Sequence, residues 1–168
     1  VKKKQQDSES KEKDDKLREQ EKERRLEQRQ IAKERIPVIA KSLLECKQGT
    51  ITVDDITMEL ADSGKANFCY STSDNYDDVF HIGLGEALCK ADPKLVYCGL
   101  FEQGEKIRVI VYAGEQISKE KNAGEIVKSI SQILGGAGGG SPKFAQGGGI
   151  EKSKKEDAIK NAKSMIIE

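Results

Sequence analysis

Glycine backbone and lysine ammonium groups are the chemistry that this 168-residue chain concentrates in one place. Gly135–Gly149 reads Gly-Gly-Ala-Gly-Gly-Gly-Ser-Pro-Lys-Phe-Ala-Gln-Gly-Gly-Gly and holds eight of the 16 glycines. Ordering glycine costs more backbone entropy than ordering any other residue, so an ordered run needs a structural or binding reason. A flexible linker is one reading, although Pro142, Phe144 and Gln146 interrupt the glycines and amphipathic helices flank the segment on both sides. The other is a tight backbone loop, residues 135–149, that lets another chain approach closely and offers its N–H groups to anions such as phosphates. Physics alone leaves the two even. A Walker-type phosphate loop is excluded by context, because that pattern follows a strand and ends in Gly-Lys-Ser/Thr. The dinucleotide fingerprint fails for the same reason.

Other reactive groups are few and scattered. Cys46, Cys69, Cys89 and Cys98 lie 23, 20 and 9 residues apart, with no CxxC and a single histidine, His81. No zinc-type spacing follows from these, and no metal site is expected. Cys69 and Cys98 sit in apolar contexts where a thiol acts as a small hydrophobe, which points to reduced thiols and a cytoplasmic setting. Asp54-Asp55 and Asp77-Asp78 are adjacent pairs whose side chains diverge on helix or strand; caps and surfaces are their expected places. His81 is expected to be a partly exposed helical histidine. No nucleophile–base arrangement is present, so no catalytic residue is assigned.

Composition sets the frame around that segment. Lysine plus arginine equals aspartate plus glutamate, 29 each, so no global basic field draws in nucleic acid. Charged residues make up 35% of the chain, above the roughly 25% of ordinary globular proteins. The excess lies in residues 1–35, with 13 basic and 10 acidic side chains, leaving 16 basic and 19 acidic for the other 133. The most apolar stretches, around Leu95–Phe101 and Ile107–Ala113, fall far short of the roughly 18 residues of a membrane span. No secretory signal pattern opens the chain. A first residue of Val inside a charged run suggests a piece of a longer protein.

The elements that must position the glycines can be read in order. Residues 1–36 contain no glycine or proline and carry acid-to-base pairs four apart, such as Glu12–Lys16 and Glu21–Arg25, which favour a long solvated helix. Their sparse apolar residues, Leu17, Leu26, Ile31 and Ile36, keep no heptad. Pro37 is expected to break that helix or start the next. A second helix with Ile36, Ile39, Leu43 and Leu44 on one face would end near Gly49. Residues 1–49 thus read as a charged helical oligomerisation segment, and 50–168 as a globular domain.

Within that domain, Thr50–Val53 and Asn67–Thr72 read as strands and Asp54–Ala61 is ambiguous. A helix follows Asp74 and stops at Asp92-Pro93. Leu95–Phe101 has the pattern of a strand covered on both faces and pairs as a hairpin with Ile107–Ala113 across Gly104. Asn122 caps a strongly amphipathic helix that ends at Gly135. Ser153 and Glu156 form the expected capping box of a last helix. The fold class is α/β (α+β): a sheet with helices packed against it.

The segment Gly135–Gly149 resembles the signature GGxGGGxPxxAQ, followed by glycines, of the DHH-associated domain at the C-terminus of alanyl-tRNA synthetases. The hairpin, helix, loop and final helix also keep that family's order, so the likeness covers roughly residues 65–168. The arm resembles only in kind the dimer-assisting helical segment of archaeal-type synthetases. The resemblance implies a longer class II ligase that joins alanine to tRNA(Ala) with ATP and edits mischarged tRNA, using Mg and Zn at sites outside this chain. No cofactor is expected in the chain itself. Its module would bind the tRNA outer corner and hold two subunits together, with neither DNA nor a membrane as partner. DHH-type phosphoesterases carry a related domain in which a histidine closes the glycine run, and here that position is Ser141.

On that reading the RNA-binding candidates are Gly138, Gly139, Gly140, Lys143, Phe144, Gln146, Lys152, Lys154 and Lys155. The lysines would meet phosphates, which position an RNA without reading its sequence. Phe144 would stack on a splayed base or, as the favoured alternative, anchor the loop. Gln146 would bond RNA or, again favoured, the loop's own backbone. Lys154 and Lys155 read equally as a solvated helical turn. The dimer candidates are Ile36, Ile39, Leu43 and Leu44, with Leu17 and Leu26 as weaker ones. A substrate-holding domain of a phosphoesterase and a purely structural oligomerisation domain are the rival functions.

Overall fold

The computed structural model describes residues 2–46, 49–60 and 65–167. Helix α1 spans Lys2–Leu44. Strands β1 (Thr50–Val53) and β2 (Ile56–Leu60) form a hairpin that leads to β3 (Asn67–Ser71). Helix α2 (Asp78–Ala91) precedes β4 (Leu95–Gln103) and β5 (Lys106–Ala113). Helix α3 (Ala123–Ile133), strands β6 (Ala137–Gly140) and β7 (Phe144–Gly149), and helix α4 (Lys155–Ile167) complete the chain. The seven strands form one sheet in the order β1-β2-β3-β4-β5-β7-β6. Neighbours run antiparallel except β3 and β4, which are parallel and joined by α2, as a parallel pair requires a crossover.

Helices cover both faces. On one side Ile126, Val127 and Ile130 of α3 and Ala158, Ala162 and Ile166 of α4 pack on Phe68, Val96, Cys98, Val109 and Val111. On the other, Phe80, Leu84 and Leu88 of α2 join Ile39 and Leu43 of α1 over Met58, Cys69, Leu95 and Tyr97. Leu95–Phe101 is buried throughout, as a strand covered on both faces must be.

Three local expectations are corrected. The two N-terminal helices are one, because α1 runs through Pro37. Pro37 and Lys33, whose carbonyl the proline cannot serve, both lie on the exposed side of the helix, which is where a missing helical bond costs least. Residues 54–60 of the ambiguous stretch are the turn and second strand of a hairpin, residue 61 lying outside the described residues: Asp54 (φ 48°) and Asp55 (φ 66°) make a two-residue left-handed turn. Ser153 caps nothing; it sits inside a short 3-10 turn, Lys152–Lys154, that runs into α4.

Other signals hold. Asp77 caps α2, accepting from Val79 N at 3.1 Å, and Asp92 follows its last turn. Asn122 Oδ1 accepts from Gly124 N at 2.8 Å and Glu125 N at 3.3 Å, and Gly135 (φ 76°) takes the left-handed position after α3. Asn122→Ala is expected to cost about 1 kcal/mol, read as a shift in the urea midpoint.

Candidate nucleic-acid interface

The glycine segment is a pair of strands rather than a loop. Ala137–Gly140 pairs with Gly148–Ala145, and β7 pairs on its other side with β5, from Ile107↔Gly149 to Tyr112↔Phe144. Ser141 closes the turn: its N–H donates to Phe144 O at 2.8 Å and its hydroxyl accepts from Phe144 N at 3.1 Å. Helix α3 lies directly on the hairpin. A Cβ on Gly138 would stand 2.7 Å from Gly147 Cα and 2.9 Å from Ser131 Oγ. The absence of side chains there lets α3 pack on backbone. Strand β6 ends the sheet, so half of its N–H and C=O groups face no neighbouring strand.

The proposed lysine cluster does not assemble. Lys143 O accepts from Ala113 N at one end of β5. Lys152 Nζ donates to Gly104 O at 2.7 Å beyond the other end. At ~3.3 Å per residue, β5 sets roughly 23 Å between them. The C-terminal lysines are also occupied. Lys152 lies 3.4 Å from Glu102, Lys154 lies 3.3 Å from Glu151, and Lys155 sits 3.9 Å from both Asp74 and Glu102. Lys143 is exposed. Phe144 is half-buried with its ring 5.5 Å from Tyr112. Gln146 is exposed and accepts from Arg108 Nη2 at 3.3 Å, so its partner is a side chain of β5 rather than the hairpin's backbone.

What the fold does bring together is a groove of about 400 Å³ along the end of the hairpin, lined by Lys106, Arg108, Gln146, Ile150 and the glycines around them. Neither cation was singled out from the sequence. The signal was present in β5: Ile107, Val109, Val111 and Ala113 turn inward, which places Arg108 on the opposite face.

The dimer candidates divide. Ile39 and Leu43 are fully buried within this chain, against α2 and the sheet, and Ile36 and Leu44 are partly buried there. The apolar face of α1 that the sequence offered to a second chain is therefore covered by the chain's own core. Leu17 and Leu26 stay 62% and 57% exposed. Arg24 and Arg35 fasten the helix to Asp77 and Asp54.

His81 is fully buried, not surface-exposed. Its Nδ1 lies 2.7 Å from the Tyr97 hydroxyl and its ring stacks 4.8 Å from Phe101. Burial lowers its pKa to about 4, so the ring is neutral near pH 7. Cys69, Cys89 and Cys98 are buried free thiols; burial pushes each thiol pKa up, that of Cys89 to about 12. Among the described residues no three His, Cys, Asp or Glu side chains converge as a metal site would require, and no helix is long and apolar enough to cross a membrane.

The architecture defines a mixed α/β domain, with helices on both faces of one sheet and a glycine hairpin at its edge. Residues 66–168 match the DHHA1 domain family, and the chain belongs to it. It is 43% identical to the alanine–tRNA ligase of Nitrosopumilus maritimus over 98% of its own length and 18% of that protein's. It is 41% identical to the alanine–tRNA ligase of Cenarchaeum symbiosum over 55% of its length and 10% of that protein's. The chain thus spans less than a fifth of the length of these relatives. Among solved structures it is similar to the C-Ala domain of Aquifex aeolicus alanyl-tRNA synthetase, with 26% identity and a TM-score of 0.60, covering 66% of this chain and 98% of that one. A DHH-domain protein described as a member of the s1p family of ribosomal proteins shares the fold, at 14% identity and a TM-score of 0.54, covering 81% of this chain and 31% of that one. Within alanine–tRNA ligases the similarity lies with C-Ala rather than with a catalytic region.

Proposed function

We propose that this chain is the tRNA-binding module of an alanine–tRNA ligase, holding tRNA(Ala) by its outer corner while sites elsewhere in the protein charge and edit it. The observation that carries this reading is the 43% identity to an alanine–tRNA ligase across 98% of the chain. ATP, Mg and Zn chemistry belongs on this view to the rest of the ligase, which works in the cytoplasm. Net charge is zero, so RNA is held by local phosphate contacts rather than a global field. A second copy of the chain is the other partner, and exposed Leu17 and Leu26 on the free half of α1 are the side chains left to join two arms. A phosphoesterase role is less favoured, because Ser141 uses its hydroxyl to close the hairpin turn where that family carries a histidine.

The test is a titration of a tRNA(Ala) transcript with this chain across a salt series. Affinity should fall linearly on a log–log plot as salt rises, with a slope set by the number of phosphates met. No binding at the lowest salt, with a dimer still seen by sedimentation, would make the chain a subunit-joining domain. Leu17→Asp with Leu26→Asp should convert the dimer to monomer by sedimentation while the chain stays folded, with a thermal midpoint that no longer depends on concentration.

A further inference from the structure

We infer that one side of α1 is a rail for the RNA sugar–phosphate backbone, built from Lys11, Arg18, Lys22, Arg25, Arg29 and Lys33. This rests on the tRNA-binding reading and adds to it a surface on the helix rather than on the sheet.

The helical period brings these six together. They follow one another at steps of seven, four, three, four and four residues along α1. At about 100° per residue, those steps keep all six within roughly 80° of the circumference. From Lys11 to Lys33 the stripe runs about 33 Å along the axis. Every one of the six is exposed. Asp7 and Asp15 share this side, whereas Glu12, Glu19, Glu23 and Glu34 lie roughly 110° further round the helix.

Two independent observations point from this stripe to an anion. The first is that its cations lack counter-charges. Among the described residues only Arg25 of the six has an ion-pair partner, its Nε 3.4 Å from Glu21. Arg24 and Arg35, which lie off the stripe, are the arginines that fasten the helix to Asp77 and Asp54. The second is that the arrangement works against the helix. Arg18–Lys22, Arg25–Arg29 and Arg29–Lys33 are like-charge pairs four apart, which destabilise a helix. Glu19–Glu23 and Glu23–Glu27 repeat this on the acidic side. Interleaved signs would make a more stable solvated helix, so the segregation calls for a partner outside it.

A long polyanion is the partner that fits. A single phosphate or a mononucleotide would meet one or two of the six cations. A sugar–phosphate backbone lying along α1 meets them in succession and releases counterions at each. The three arginines also offer forked donors for bidentate phosphate contact. A second copy of the chain is the rival, because Glu12, Glu19, Glu23 and Glu34 each follow a stripe cation by one residue. A parallel copy would therefore set basic stripe against acidic stripe. It would also set Asp15, Glu19 and Lys33 against their own duplicates, along a seam whose one apolar residue between 8 and 33 is Leu26. Exposed ion pairs alone hold such a seam weakly.

The experiment titrates tRNA(Ala) transcript with the chain and two triple variants over a salt series, with thermal midpoints and sedimentation in parallel. Lys22→Gln with Arg29→Gln and Lys33→Gln should weaken binding about tenfold at moderate salt and flatten the log–log slope by roughly two. Its thermal midpoint should be unchanged or raised, since like-charge repulsion is relieved. Lys90→Gln with Lys119→Gln and Lys160→Gln makes the same change in net charge at exposed positions elsewhere, and should leave affinity within about twofold. If the native chain binds while the α1 variant matches it in affinity and slope, the rail is not used, although the tRNA-binding reading survives. Equal losses in the two variants would mean a general field rather than a site, and would also overturn the inference. If the native chain binds no tRNA, both readings fall. If the α1 variant keeps its RNA affinity but loses its dimer, the stripe meets the glutamates of a second copy and the inference is wrong.

Discussion

Gly136→Ala is expected to destabilise the chain by about 3 kcal/mol or more, or to prevent folding. The new methyl would be driven onto the Gly148 carbonyl, 2.6 Å from Gly149 Cα. Both obstacles are backbone, so no rotamer change relieves them. Neither strand can retreat, because hydrogen bonds lock the region on both sides. Gly136 N donates to Ser131 O at 2.8 Å, and Leu134 O accepts from Ile150 N at 3.0 Å and Glu151 N at 2.9 Å. Moving β7 away would also lift it from β5, to which it is paired from Gly149 to Phe144. Urea unfolding checks this as a fall in midpoint at unchanged m-value. A change within 0.5 kcal/mol would mean that the chain at Gly136 does not approach the β7 backbone as closely as described.

His81 should make the fold sensitive to acid over a window set by its two pKa values. In the folded chain burial lowers its pKa to about 4, against the opposing pull of Asp74 and Asp78; in the unfolded chain it returns to ~6.5. Between those values the unfolded state binds the proton and the folded state does not, so stability rises with pH. The contribution is fully present above about pH 6.5 and is lost as pH falls toward 4. Its size is about 3 kcal/mol for a shift of this order. His81→Gln, which cannot titrate, should flatten the slope of unfolding free energy in that window even if it lowers absolute stability. An unchanged slope would place the acid sensitivity in the carboxylates.

The parts of the fold that carry explicit local chemistry were readable, and those whose character comes from packing were not. Asn122 and Gly135 fix α3 because a side-chain cap and a left-handed glycine are properties of single residues. The continuous apolar run Leu95–Phe101 declares a central strand for a similar reason. The hairpin Ala137–Gly149 was hidden, since glycine has poor strand propensity and no side chains to alternate; only the arrival of α3 on its surface makes it a strand pair. Asp54-Asp55 lacks the glycine that usually marks a two-residue turn. His81 shares α2 with Phe80, Leu84 and Leu88, and its burial follows from the Tyr97 hydroxyl waiting across the interface. At the candidate site the glycines were visible at once. The lysines misled, because a loop allows Lys143 to fold back toward Lys155, whereas a strand pair holds them at opposite ends of β5.

Helix α1 has a mechanical consequence. Its proline, the natural place for a bend, lies between the buried contacts of Ala32 and Ile39, inside the docked part of the helix. From Arg24, which is tied to Asp77, back to Lys2 there is neither proline nor glycine. At 1.5 Å per residue this is a stiff rod of about 33 Å. Its direction is fixed at the root by α2, so whatever joins the tip is held at a set distance and bearing from the sheet. Residues 2–23 act as a ruler, and inserting two residues there would swing the far end by about 200° around the helix axis while lengthening it only about 3 Å.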